Sequence, residues 1–196
     1  MKTRHFTMMI LVVILTLVGT ACKKKKKAAV DTPKPKGEVL ITEYCSGDQY
    51  MSTKEAFRST ATGESMDRET AKKKARSNAQ SELAKTINST MKIVGDNYVN
   101  STEFNNEEEV TETFQEMAST VVDQDIRGAV EICEKLTQRE DGVYVSYVAL
   151  ELSGQKIADS YNQGLSQNEK IKADYNYEKF KETFEKEMEK MANERK

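Results

Sequence analysis

The sequence predicts an α+β fold: a small, mostly antiparallel sheet with long helices packed on it, plus a carboxy-terminal amphipathic helix. Three observations lead there. Apolar residues recur every four positions from Ala71 to Met91, which is the period of one helix face. Residues 143–152 (VYVSYVALEL) are the densest β-forming stretch of the chain. Finally, Tyr177, Phe180, Phe184, Met188 and Met191 repeat every three or four positions through a field of lysine and glutamate.

Taken in order, residues 38–44 (EVLITEY) are β-rich, and residues 56–62 (AFRSTAT) alternate Phe57, Ser59 and Ala61 against Arg58 and Thr60, so at least the second reads as a strand. Gly63 and Ser65 mark a change of period. From Met66 the stripe is Ala71, Ala75, Ala79, Leu83, Ile87, Met91 and Val94. Three alanines at its start predict that the first half of this helix lies close against a sheet. Asp67 and Glu69 suit the positive end of the helix dipole. Lys72, Lys73, Lys74 and Arg76 read as its solvent face, and Gly95 with Asn97 as its end.

A second helix is expected over residues 105–124, with Val110, Phe114, Met117, Val121 and Val122 on one side and Glu107, Glu108 and Glu109 at its positive end. Residues 126–138 alternate loosely. Between them and the strand at 143–152 stand Glu140, Asp141 and Gly142, a hairpin signal of the kind that suits a type I′ turn. From Ser153 onward the composition is helical, with a break expected at residues 164–168. The last stripe, Tyr177 to Met191, needs a partner surface. Packing on the parent domain is one answer; an envelope protein or a second copy of this helix is the other.

The amino-terminal end reads as an export signal. Lys2 and Arg4 precede an apolar run at residues 8–18 that is too short to span a bilayer, and Gly19-Thr20-Ala21-Cys22 follows. The small residues before Cys22 resemble the lipobox of bacterial lipoproteins, which implies cleavage before Cys22 and lipid attachment to its thiol. Gly19 stands where that motif usually has a large aliphatic residue, and Gly19-x-Ala21 also fits ordinary signal peptidase, so plain secretion is the alternative. Residues 22–37 form a tether with five consecutive lysines and both prolines. The chain carries a net charge of −2; without Lys2 and Arg4 it is −4, and the seven lysines and one aspartate of residues 22–36 leave −10 on residues 37–196. The lysines are a solvated spacer or a contact to anionic headgroups. An acidic body argues against nucleic acid as a partner.

The one histidine, His5, lies in the signal, which leaves the mature chain without the usual general base or the commonest metal ligand. No nucleotide-binding glycine motif occurs, and no catalytic, cofactor or metal residues are assigned. Glu107 to Glu109 point in different directions around a helix and read as a charged start rather than an ion site. Cys45 and Cys133 lack metal or redox spacing. Two buried thiols are expected ahead of a bridge, although an oxidising compartment would permit one. Asn88-Ser-Thr and Asn100-Ser-Thr match a eukaryotic glycosylation sequon that bacterial export would not use. Tyr144, Tyr147 and Phe114 are the candidate lining if a small apolar or amphipathic ligand binds between the long helix and the sheet.

Residues 61–65 (ATGES), then Ala71, Ala75, Ala79, Leu83 and Ile87, then the late hairpin strand at 143–152, resemble the LPP20 lipoprotein family. That family is similar in design to the amino-terminal domain of the flagellar protein FlgT. The resemblance spans about residues 38–155 and divides the chain into a signal (1–21), a tether (22–37), an LPP20-like domain (38–155) and a helical extension (156–196). It implies an envelope lipoprotein with no established enzymatic activity, and Cys22 is the one functional residue it carries across. By analogy, Lys23 after Cys22 directs the protein to the outer membrane, and the lysine run favours the periplasmic side. The expected function is a membrane-anchored structural or protein-interaction module, with a periplasmic binder of a small apolar or amphipathic ligand as the alternative.

Overall fold

The computed structural model describes residue 37 and residues 41–102, 104, 107–169 and 171–194. The signal-like segment, Cys22 and the tether at residues 22–36 lie outside the described residues. Residues 41–196 make one compact unit. Among the described residues, no helix is long and apolar enough to cross a membrane.

The expected α+β architecture is present. Strands β1 (Ala56–Ser65), β2 (Val130–Gln138) and β3 (Tyr144–Ser153) form an antiparallel sheet in the order β1-β3-β2. Helices α1 (Arg68–Ser101), α2 (Glu107–Asp125), α3 (Gly154–Gln167) and α4 (Tyr177–Glu194) complete the unit. β3 takes the centre because its residues are apolar on both faces, as a strand flanked and covered on both sides requires.

Small residues set how α1 meets the sheet. Phe57, Ser59, Ala61 and Gly63 of β1 stand opposite Leu152, Leu150, Val148 and Ser146 of β3 on the inner face. Ala71, Ala75 and Ala79 of α1 are fully buried against them. The approach is so close that a Cβ on Gly63 would lie 2.3 Å from the Ala75 nitrogen and 2.5 Å from the Ala71 oxygen. The Ser59 hydroxyl donates to the Ala79 carbonyl at 2.8 Å. The alanine stripe thus does what its sequence spacing predicts. Asp67 caps the helix by accepting from the Thr70 amide at 2.8 Å, and hydrogen bonds from the Thr70 side chain and amide hold its carboxyl below the usual range.

With 34 residues, α1 is about 50 Å long. A ten-residue strand covers only about 33 Å. The overhanging half of α1 needs its own cover, which α2 and α4 supply. Its larger residues Ile87, Met91, Val94 and Tyr98 join Phe114 of α2 and Phe180, Phe184 and Met188 of α4 in one buried cluster with the inner sheet face. Residues on both sides of position 155 contribute to this core. The stripe from Tyr177 to Met191 is therefore occupied within the chain: Phe180, Phe184 and Met188 are buried, and Tyr177 and Met191 pack against the cluster. Packing on the parent domain, one of the two expected answers, therefore takes up most of this stripe.

Three expectations are corrected. Gly95 and Asn97 do not end α1. Gly95 lets Phe114 approach to within 3.1 Å of where a Cβ would stand, and Asn97 donates to Glu187 at 2.9 Å. A helix-interior glycine costs about 1 kcal/mol in propensity, which the close α1–α2 crossing offsets. The break expected over residues 164–168 is present: Gly164 stays inside α3, and the helix ends at Gln167 with Asn168 as its cap. Lys72 and Arg76 are not simply solvated: they reach Glu134 at 3.0 Å and Glu131 at 3.5 Å on β2. The hairpin forms, but Gly142 alone in its loop has positive φ, and bonds from the Gly142 amide to Arg139 O and from the Arg139 amide to Val143 O close a three-residue loop instead of a type I′ turn. Residues 41–44 form no strand, while residues 38–40 lie outside the described residues.

Gly63→Ala should destabilise the domain by about 3 kcal/mol, because its methyl would meet helix backbone rather than a side chain that can swing aside. Chemical denaturation measures this directly. An unchanged midpoint would mean that the α1–β1 approach is looser than described.

Candidate functional site

The outer face of the sheet, opposite α1, carries the feature that sequence reasoning set aside. Cys45 and Cys133 form a disulfide, with Cα atoms 5.6 Å apart across 88 positions of sequence. This corrects the expectation of two buried thiols. Proximity in space, which spacing in sequence does not reveal, decides the matter.

Two local devices bring the sulfurs together. Cys45 has φ 54, a left-handed conformation that a non-glycine residue adopts at a cost of about 1 kcal/mol or more, and only when its surroundings fix it. Gly47, with φ 100, then turns the chain into a short 3-10 turn at Asp48–Tyr50. On β2, the register shifts between Glu131 and Cys133, so that Ile132 is the extra residue of a bulge. Strict alternation would place residues 131 and 133 on the same face. The bulge leaves Glu131 and Glu134 beside Arg76 and Lys72 of α1 and turns Cys133, opposite Ala149, to the outer face.

The strap formed by residues 41–53 is held in two unequal parts. From Gln49 onward it is well fixed. Arg58 Nη1 donates to Gln49 O at 3.2 Å and Met51 O at 3.3 Å, the Ser52 hydroxyl bridges the Arg58 amide and carbonyl, and Arg58 itself pairs with Glu151 at 2.6 Å. Before Gln49, the strap meets the sheet through the disulfide, the Cys45 sulfur lying 3.6 Å from the Tyr147 carbonyl, and an edge-on ring contact between Tyr44 and Tyr147 at 5.3 Å. Ser46 bonds only locally, to Glu43 O. Ile41 and Tyr44 are exposed.

The three residues suggested for a ligand pocket do not converge. Tyr147 lies on the outer face under Tyr44, whereas Tyr144, at the start of β3, falls on the opposite side of the strand. Phe114 packs on Tyr98 and Phe180 in the helical cluster. A groove of about 300 Å³ does reach Phe114, but between α1 and α2 and bounded by Asn88, Lys92 and Gln115, not between α1 and the sheet. Glu107 to Glu109 open α2 as expected, and among the described residues no cluster of His, Cys, Asp or Glu could hold a metal ion. Cys22 lies outside the described residues.

Among the described residues, the buried side-chain polar atoms without a hydrogen-bond partner include Ser146 Oγ, Asp125 Oδ2 and Tyr161 Oη, at separate places in the fold. The other Asp125 oxygen meets Lys156 Nζ at 3.3 Å. Tyr161 is fully buried and stacks on Phe180, and burial pushes its hydroxyl well above the ordinary tyrosine range. No pair of these atoms forms an acid–base couple, and sequence patterns signal none of them.

Neither the protein-family models nor the curated proteins contain a match to this chain.

Two outcomes follow from this geometry. Replacing both cysteines by serine should lower stability by about 4 kcal/mol, the loop-closure contribution of a bridge over so long a loop, without loss of helical content. Equal stability of the double variant and the wild type in denaturant would remove the bridge from the account. Tyr161→Phe should leave stability unchanged or raise it by about 1 kcal/mol, since it deletes an unsatisfied buried hydroxyl and keeps the ring. A clear loss would show that the hydroxyl has a partner, such as a buried water.

Proposed function

We propose that this protein is an exported bacterial envelope lipoprotein, anchored through lipid on Cys22, that acts as a non-catalytic structural or protein-interaction module. The observation that carries the reading is the Cys45–Cys133 bridge. Disulfides persist in oxidising compartments and are rare in reducing ones. The bridge speaks for export independently of the signal-like residues 1–21, and Cys22 then stands at the first position after the expected cleavage. The resemblance of residues 61–65, the alanine stripe and the late hairpin to the LPP20 family supports the same assignment and the outer membrane with it, while the lysine run after Cys22 favours the periplasmic side by analogy. That no histidine follows His5 favours a non-catalytic role.

The interaction part of the reading now has a different location. With the α4 stripe occupied, the surfaces left for a protein partner are the outer face of the sheet, near exposed Ile41 and Tyr44, and the edge strand β2, where Val130 and Ile132 are exposed. By contrast, outward carbonyls on the β1 edge are taken by side chains: Asn78 donates to Thr62 O at 2.8 Å and Lys74 to Glu64 O at 3.1 Å. Blunting one edge and leaving the other open fits a module with one preferred side.

Cys22→Ser tests the anchor. The wild type should sediment with membranes and move into the detergent phase, and the variant should appear in the soluble fraction of the envelope with its domain folded. A variant that stays with membranes as strongly as the wild type, or a wild type that is soluble throughout, would overturn the lipid anchor.

A further inference from the structure

We propose that the Cys45–Cys133 bridge is a reducible clasp: opening it frees the strap before Gln49 and uncovers the outer face of β3 while the domain stays folded. The first support is where the core lies. The large buried cluster is built from α1 to α4 and the inner sheet face, and no residue of the strap belongs to it. Loss of the clasp therefore removes nothing from the packing that holds sheet and helices together.

The second support is the uneven hold on the strap. Residues from Gln49 onward are tied through Arg58 and Ser52, whereas residues 41–48 depend on the bridge and the Tyr44–Tyr147 contact. Cys45 also sits in a left-handed conformation that the bridge helps to impose. Once released, it relaxes to an extended one. The third support is access. Cys133 lies on an edge strand, directly after a bulge whose residue Ile132 is exposed, and is itself only partly buried.

The reductant is a protein dithiol of the thioredoxin class. Its thiolate attacks Cys133 Sγ, forming a mixed disulfide and releasing Cys45 as a thiolate that takes up a proton. The second dithiol sulfur then attacks the mixed disulfide, and Cys133 leaves as a thiolate that is protonated in turn. The dithiol ends as a disulfide and the protein as two thiols. What becomes accessible is the strip around Tyr147 and Ala149, rimmed by Thr60, Thr62 and Lys135, a small apolar surface with a polar border.

The test uses the full mature chain. Hydroxyl-radical footprinting compares the oxidised wild type with the Cys45→Ser/Cys133→Ser variant and with wild type reduced by a thioredoxin-class dithiol and alkylated. The expected result is a several-fold rise in labelling of Tyr147 and in protease cleavage after Glu43. Labelling of Tyr161 and Phe180 and the helical circular dichroism should not change, and two alkylated cysteines should appear at Cys45 and Cys133. Unchanged labelling at Tyr147 would overturn the proposal, because the strap would then be held without the bridge. So would a rise at Tyr161 with loss of helicity, since the bridge would then staple the whole domain, and so would a bridge that the dithiol opens only in denaturant. The outcome does not depend on lipid at Cys22, so failure of the anchor and failure of the clasp are separate results.

Discussion

The contact on which the rest of the structure depends is the close approach of α1 to β1, set by Gly63 on the strand and Ala71, Ala75 and Ala79 on the helix. Small residues on both sides let the two backbones come together. The helix axis is fixed over one end of the sheet as a result. Because α1 is much longer than the strands, its far half projects beyond them with large apolar residues that cannot remain in water. Two later helices answer that demand. α2 crosses α1 at Gly95, α4 lays its aromatic and methionine stripe along the overhang, and Tyr98 sits among Phe104, Phe114, Tyr175 and Phe180 where these elements meet.

The division between small and large residues along α1 also separates two kinds of surface. The inner sheet face and the overhang are closed by packing. The outer sheet face is closed by a short strap, one covalent bond and a few hydrogen bonds from Arg58 and Ser52. The first kind of closure is cooperative and broad. The second is local, and it is the part of the molecule where a single chemical event changes what is exposed.

Much of this was legible in the sequence, and the misses have identifiable causes. Periodicity found β1, α1, α2 and α4, because each buries one face and its apolar residues must repeat at the period of its own geometry, while β3, covered on both faces, showed as a dense run of β-formers. The alanines even indicated which half of α1 meets the sheet. Glycine misled at Gly95, because the same residue that ends a helix in isolation permits a close crossing in a packed one. Asp141-Gly142 located the hairpin but not its turn, since a three-residue loop uses the glycine in the same way. The bridge was least visible of all. Its two cysteines meet only because a bulge rotates Cys133 and Cys45 itself adopts a left-handed conformation, and neither device has a clear sequence signature.

The functional account joins an export signal, a lipid on Cys22 and a bridged domain in a single molecule. Non-reducing intact-mass spectrometry of the protein taken from native membranes tests that combination most directly. The account predicts a chain beginning at Cys22, heavier than its amino acids by the acyl groups and lighter by the two hydrogens of one disulfide. A chain that retains residues 1–21, that begins at Cys22 without added lipid, or that carries two free thiols at Cys45 and Cys133 would contradict it.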